Sequence, residues 1–314
     1  MDNRTEATQF ILIRLINISE LQIPFCIMFT LIYLTNMVGN LGIILLILMD
    51  SYLHTPIYYF LCNLSLVDSC YSLAVTPTVM AGFITVDRVI SYNAHASQMF
   101  FFAAFATMEN FFLASMAYDC YAAGCKHLHY TTTMRTSVCA RLITGCYVCG
   151  FLSASIHIGN TFRLSFCLSN VVHHFFCDVP AVMALSCSDT HVSELVLVYV
   201  ASFNVFFALL IILISYAFIF ITILKMHSYE EYQKALSSCA SHVTAVSIFY
   251  AAVVIMYLQP SSSHSMDTDK TASVFYTMIL PMQNPVVYSL RNKEVKRAFM
   301  KGLLEVKLSL GLGF

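Results

Sequence analysis

The sequence predicts an all-α membrane protein: a seven-transmembrane helix bundle followed by a short C-terminal amphipathic helix. Three observations carry this. The 314-residue chain is 59% hydrophobic and only 11% charged, whereas a soluble domain carries about 25% charged residues, so lipid must solvate much of its surface. Seven apolar runs each reach the length of about 20 residues that a helix needs to cross the hydrocarbon core. Those runs are too long and too unalternating for barrel strands, which leaves the helix as the way to satisfy every backbone group in lipid.

The runs fall at 22–49, 57–83, 93–118, 140–162, 195–225, 235–259 and 271–290, and Asp68 and Glu109 are the acidic groups deep inside them. The chain therefore divides into an extracellular N-terminal segment (1–21), a transmembrane domain (22–290) and a cytoplasmic amphipathic helix and tail (291–314). No repeat, low-complexity tract or linker interrupts it. Residues 291–302 mix Arg291, Lys293, Lys296, Arg297 and Lys301 with Val295, Ala298, Phe299 and Met300. That pattern predicts a basic helix on the inner membrane surface; a solvated charged tail is the plainer alternative.

Orientation follows from the basic residues, which concentrate on the cytoplasmic side of membrane proteins. With the N-terminus outside, the inner segments hold Lys126, Arg135, Arg141, Lys225, Lys234, Arg291, Lys293, Lys296, Arg297, Lys301 and Lys307. The outer segments hold only Arg4, Arg14, Arg88, Arg163 and Lys270. Two glycosylation sequons, at Asn3 and Asn17, are usable only on the outside; a third match, at Asn63, lies within a span. The first twenty residues carry Asp2, Arg4, Glu6, Arg14 and Glu20, so no cleaved signal peptide is expected. The net charge of −1 argues against nucleic acid, which requires a basic face. The expected setting is a multi-pass protein of the plasma membrane with the lipid bilayer as a partner. No cofactor is expected.

Most of the twelve cysteines, Cys26, Cys62, Cys70, Cys146 and Cys149 among them, lie in apolar runs, where a free thiol behaves as a small hydrophobe. Cys167, Cys177 and Cys187 share the longest polar connection, 163–194, and an outer loop permits oxidation.

Four motifs then stand in order along the chain. They are Leu53-His54-Thr55-Pro56-Ile57-Tyr58-Tyr59-Phe60-Leu61; Met116-Ala117-Tyr118-Asp119 with Tyr121, Cys125 and Leu128-His129-Tyr130; Lys234-Ala235-Leu236-Ser237-Ser238-Cys239-Ala240-Ser241-His242; and Pro281-Met282-Gln283-Asn284-Pro285-Val286-Val287-Tyr288-Ser289-Leu290-Arg291-Asn292. Together they resemble the olfactory receptor family of rhodopsin-like (class A) G-protein-coupled receptors, over nearly the whole chain. The resemblance implies an odorant receptor that binds small volatile ligands within the bundle and signals through a heterotrimeric G protein. It places the ligand between the outer halves of the third, fifth, sixth and seventh helices. The matching positions are Phe102, Ala103, Ala106, Thr107, Asn204, Tyr250, Val253, Val254, Tyr257 and Thr277. Phe102, Ala106 and Asn110 recur at i+4 and share a helix face, as do Ala103 and Thr107. An apolar lining with a few hydroxyl or amide handles suits a small neutral ligand, although any single Phe or Val there also reads as helix packing.

Ionisable groups inside a membrane are costly and usually functional. Asn40, Asp68, Glu109 and Asn284 are expected to form one polar cluster, whether as a packing network or with a sodium ion. Pro285 frees a backbone carbonyl one turn back, so it makes either a hinge for Tyr288 or a static kink. Asp119, Cys120, Tyr121, Asn284, Pro285 and Tyr288 are the implied activation and coupling positions.

The chain departs from the family in two places. Where the family has Asp-Arg-Tyr, this chain has Asp119-Cys120-Tyr121, followed by Ala122-Ala123-Gly124 and by His127 where proline is usual. In this receptor class that arginine reaches the G protein when the sixth helix opens, and cysteine has neither its length nor its fixed charge. Coupling is therefore expected to be weak or absent. The second departure is His95, at the position of a family cysteine whose partner would be Cys177. Cys167 and Cys187 can still pair, closing a loop of about 20 residues worth roughly 3 kcal/mol in the chain-entropy model. A metal site at His95, His173, His174 and Cys177 is an alternative by ligand chemistry, but the spacing matches no recognised motif, and loss of a disulfide is the plainer reading.

Competing functions fare less well. No paired repeats suggest a transporter or channel, and no His-Glu-x-x-His or Gly-x-Ser-x-Gly motif suggests an enzyme. A retinal-binding opsin is excluded because 271–290 has no lysine for a Schiff base. A receptor remnant that does not signal stays open beside the odorant receptor.

Overall fold

The computed structural model describes residues 9–12, 19–84, 88–126, 129–165, 171–172, 183, 186–225, 229–257, 280–291 and 293–309. Eight helices are labelled here in chain order: α1 Ser19–Met49, α2 Pro56–Ile84, α3 Tyr92–Cys125, α4 Thr136–Thr161, α5 His191–Leu224, α6 Tyr229–Tyr257, α7 Leu280–Arg291 and α8 Lys293–Ser309. The first seven form the bundle and α8 follows it. α3 is the hub, packing against α2, α4, α5 and α6, while α7 closes the ring against α1, α2 and α6.

Burial is inverted relative to a water-soluble bundle. Along α1, Ile27, Leu31, Leu34, Val38 and Leu45 are exposed while Asn36 and Asn40 are buried; along α5, Phe203, Phe206, Leu213 and Phe220 are exposed. Contiguous apolar surface on this scale would drive association in water, so the solvent it faces is lipid. Exposed hydroxyls are satisfied within their own helices: Thr35 donates to Leu31 O at 2.8 Å, Ser155 to Phe151 O at 2.8 Å and Thr222 to Phe218 O at 2.9 Å. This back-bonding spares a polar group from hydrocarbon. Among the described residues, α3, α4, α5 and the 22–49 stretch of α1 are each long and apolar enough to cross a membrane, and α6 holds a shorter apolar stretch, Cys239–Val254. The chain is a membrane-embedded multi-pass protein.

Two pairs of helices approach so closely that only glycine fits at the contact. A Cβ at Gly150 of α4 would stand 2.4 Å from Met108 Cγ and 2.8 Å from Ala104 O on α3. A Cβ at Gly39 of α1 would stand 2.9 Å from Pro285 Cβ on α7.

The helices outrun the apolar segments. α3 continues to Cys125 and not to 118, α4 begins at Thr136 and not at 140, and α6 begins at Tyr229 and not at 235. Hydropathy marks the stretch in hydrocarbon, whereas the helix extends past it to where other groups or water can satisfy its last turns. The seventh run is described only from Leu280. At the end of the bundle where α3 begins, three strands form a small sheet that the sequence did not predict. β1 (Gln9–Leu12) lies between β2 (Arg88–Ser91), antiparallel, and β3 (Val171–Val172), parallel. We call this the sheet end and the opposite end the α8 end.

Candidate functional site

Between the middle of the bundle and the sheet end, four helices meet through a chain of polar contacts. Asn110 of α3 donates its side-chain amide to Asn204 O of α5 at 3.0 Å. Tyr250 of α6 donates its hydroxyl to Asn110 Oδ1 at 2.7 Å, and the Asn204 amide donates to Ser153 Oγ of α4 at 2.9 Å. Around this chain Phe102 is buried, with its ring 5.4 Å from that of Tyr71 on α2, and Ala103, Ala106, Thr107 and Val253 are half-buried. Thr107 spends its hydroxyl on Ala103 O at 2.9 Å.

Seven of the ten expected ligand positions thus lie on the α3, α5 and α6 faces around this chain. Val254 differs. It is 50% exposed and shares a face with exposed Ser247, seven residues earlier, because the 100° step per residue turns it away from Val253. Tyr257 belongs to α6 but its side chain lies outside the described residues, as does Thr277. Sequence reasoning missed Ser153. The available signal was two amides, Asn110 and Asn204, in otherwise apolar runs, since buried amides must find partners.

Nearer the α8 end, the polar groups of α1, α2, α3 and α7 converge. Asn284 of α7 donates to Asp68 Oδ2 of α2 at 2.8 Å. Glu109 lies close enough to interact with both Asp68 and Asn284. Asn40 joins through a different route: it donates to Pro281 O of α7 at 3.2 Å and to Asn36, whose own amide bonds Ser72. Among the described residues, one Glu109 oxygen, Asn40 Oδ1 and Asn284 Oδ1 are buried and find no hydrogen-bond partner. Pro285 and Tyr288 are buried on the same helix.

At the α8 end itself, Asp119 accepts from the Tyr130 hydroxyl at 2.9 Å. Burial and the neighbouring Asp119 carboxylate push that hydroxyl well above its ordinary range, so Tyr130 remains a donor. The Tyr121 ring lies 5.6 Å from that of Phe218 on α5, tilted by 47°, with Lys126 Nζ over it at 5.7 Å. Cys120 is half-buried, near enough to Cys239 of α6 and Tyr216 of α5 to interact with both. His242 donates from Nε2 to Leu113 O at 3.0 Å, which leaves Nδ1 of the neutral ring to accept from the Tyr216 hydroxyl at 2.5 Å. α8 docks through Tyr58, which donates to Glu294 at 2.6 Å.

At the sheet end, His95 is buried at the start of α3. Cys187 is disulfide-bonded, whereas Cys167, Cys177, His173, His174, Asn3 and Asn17 lie outside the described residues. Among the described residues, no three His, Cys, Asp or Glu side chains are grouped to hold a metal ion.

The bundle is that of a rhodopsin-like seven-helix receptor. It superposes on squid rhodopsin with a TM-score of 0.68, covering 93% of this chain and 83% of that one, at 17% identity, a likeness of fold alone. The sequence goes further: the family model described as olfactory receptor matches residues 29–306. Human olfactory receptor 5B3 is 70% identical over 99% of both chains. Human olfactory receptor 5B2 is 70% identical over 98% of this chain and 99% of its own, and mouse olfactory receptor 5B21 is 58% identical over 96% of this chain and 94% of its own. The chain belongs to the olfactory receptor family.

Proposed function

We propose that this olfactory receptor lies in the plasma membrane with its N-terminus and sheet end outside, and binds a small neutral odorant among α3, α5, α6 and α7. The observation that carries the ligand site is the Tyr250–Asn110–Asn204–Ser153 chain within an apolar wall of Phe102, Ala103, Ala106 and Val253. Such a wall favours apolar ligands by area, at about 0.8 kcal/mol per buried CH₂. The hydroxyl and amides supply one polar handle, fit for an alcohol, aldehyde, ketone or ester. Thr277 and Tyr257 belong to the same proposed lining, and Cys167 is the proposed partner of Cys187.

The α8 end faces the cytoplasm in this reading, where α8 lies on the inner membrane surface. Coupling to a G protein is weak. Cys120 stands where a guanidinium would, and its half-buried thiol carries neither the length nor the charge to reach a G protein. A receptor that binds odorant without signalling is the second reading, favoured by that same residue. Exposing cells to an odorant panel, with surface display verified, separates the two: ligand-dependent cAMP supports the first, and binding without cAMP supports the second.

A further inference from the structure

The polar chain through the ligand site runs in one direction and stops at α4. Each member spends its proton on the next: the Tyr250 hydroxyl on Asn110 Oδ1, the Asn110 amide on Asn204 O, and the Asn204 amide on Ser153 Oγ at 2.9 Å. Among the described residues, the Ser153 hydroxyl gives its own proton to no acceptor. One turn further toward the sheet end, on the same face of α4, stands His157. The two are four residues apart, about 6 Å along the axis at roughly 1.5 Å per residue. Both are buried, His157 to 6% of full exposure. Among the described residues, Nδ1 of the His157 ring has no hydrogen-bond partner.

The neighbouring groups do not supply one. Thr161 donates to His157 O at 2.8 Å, and Asn160 donates to Ser193 O of α5 at 3.1 Å. α4 is thus tied to α5 on the outer side of His157 by Asn160 and on the inner side by Ser153, and the imidazole lies between the two ties. On α5 the same interval, from Ser193 to Asn204, turns half-buried Val196, Leu197 and Val200 toward the bundle, and none of these side chains can hydrogen-bond. A buried ring nitrogen and a buried hydroxyl proton, one turn apart and both without a protein partner, call for a polar group from outside the chain. The pair also says which group. A neutral imidazole carries one donor and one acceptor nitrogen, and a serine hydroxyl can act as either. An alcohol hydroxyl accepts one hydrogen bond and donates another, so it bridges Ser153 and His157 whichever ring nitrogen holds the proton. An ether or carbonyl oxygen only accepts, and completes the pair in one tautomer alone.

We infer that His157 and Ser153 form a hydroxyl-binding subsite on α4, at which the receptor takes the O–H of an aliphatic alcohol. This rests on the odorant-receptor reading and narrows it: the ligand is an alcohol, and its chain lies against the apolar wall of Phe102, Ala106 and Val253.

The test uses detergent-solubilised full-length receptor, with the alcohols from 1-butanol to 1-decanol and their isomeric methyl ethers as probes. Diethyl pyrocarbonate, which acylates imidazole, is added with and without probe, and labelling of His157 is read by mass spectrometry. The best-fitting alcohols should shield His157 at about tenfold lower concentration than their ethers, the factor expected for one hydrogen bond. The same alcohols should raise the unfolding temperature of the native receptor more than the ethers do. His157→Leu should erase that preference, and His157→Asn, whose amide falls near the Nδ1 position, should keep it. Shielding is read on the native chain, so it decides the matter even where the leucine variant does not fold. His157 that never labels, or that no alcohol shields better than its ether, overturns the subsite, as does an alcohol preference unchanged in His157→Leu. Selective shielding by alcohols that evoke no cAMP from the Cys120→Arg variant supports the subsite while the odorant reading fails. Odorant-evoked cAMP with alcohols and ethers equally potent does the reverse.

Discussion

The Tyr250 hydroxyl stands 2.7 Å from Asn110 Oδ1, so α6 and α3 meet there through a polar contact, as they do again nearer the α8 end through His242 and Leu113 O. In the proposed function, that contact sets what a ligand wedged between the two helices can bond.

Replacing Tyr250 with phenylalanine keeps the ring and removes the donor. A buried acceptor left unpaired costs about 1–3 kcal/mol. Ligands with a hydroxyl or carbonyl should lose potency by about tenfold, each 1.4 kcal/mol being one decade, while hydrocarbon ligands should change little. Dose–response curves for a homologous alcohol and alkane pair, recorded on the C120R background for signal, check this.

Gly150→Ala should separate α4 from α3, because the added methyl lands 2.4 Å from Met108 Cγ and 2.8 Å from a carbonyl oxygen that cannot move away. Overpacking of this kind costs about 1–3 kcal/mol. Gly145→Ala, on the same helix with nothing within 4 Å, should be neutral or slightly stabilising, since alanine is the better helix former. Thermal unfolding of the two detergent-solubilised variants against the parent measures the difference.

Cys167→Ser should release the Cys187 thiol, and Cys177→Ser should not. Differential alkylation of the surface receptor reads this directly. Losing the loop closure should cost roughly 3 kcal/mol and show as poorer surface display. Release of Cys187 by Cys177→Ser alone would assign the bond to the other cysteine.

Lipid made the seven spans legible. Each had to be apolar over its whole width, so length and composition marked them without any knowledge of packing. The same physics hid their ends: α3 runs on past the charged Asp119 to Cys125, and α6 from 229 to 234 is helical but polar. The sheet at the N-terminus stayed hidden because Gln9–Leu12 and Arg88–Ser91 are four residues each and Val171–Val172 is two, too short to show an alternating pattern. Within the site, the i+4 spacing placed Asn110 with Phe102 and Ala106, because one helix's geometry suffices for that. Partners across helices were not legible. Ser153 under Asn204, Asn36 between Asn40 and Ser72, and Cys239 near Cys120 depend on how each helix is rotated about its axis. Val254 was misplaced for the same reason.

In the proposed function, Cys120 limits how far odorant binding reaches a G protein. An arginine there contributes charge-assisted hydrogen bonds worth about 1.5–3 kcal/mol, or roughly ten- to a hundredfold in a coupling equilibrium. The direct measurement is odorant-evoked cAMP in cells displaying equal surface amounts of the native chain and the Cys120→Arg variant. The expected result is a response to the same small neutral odorants in both, at least about tenfold stronger in the variant. Equal responses from the two would show that Cys120 does not limit coupling, and would contradict the account.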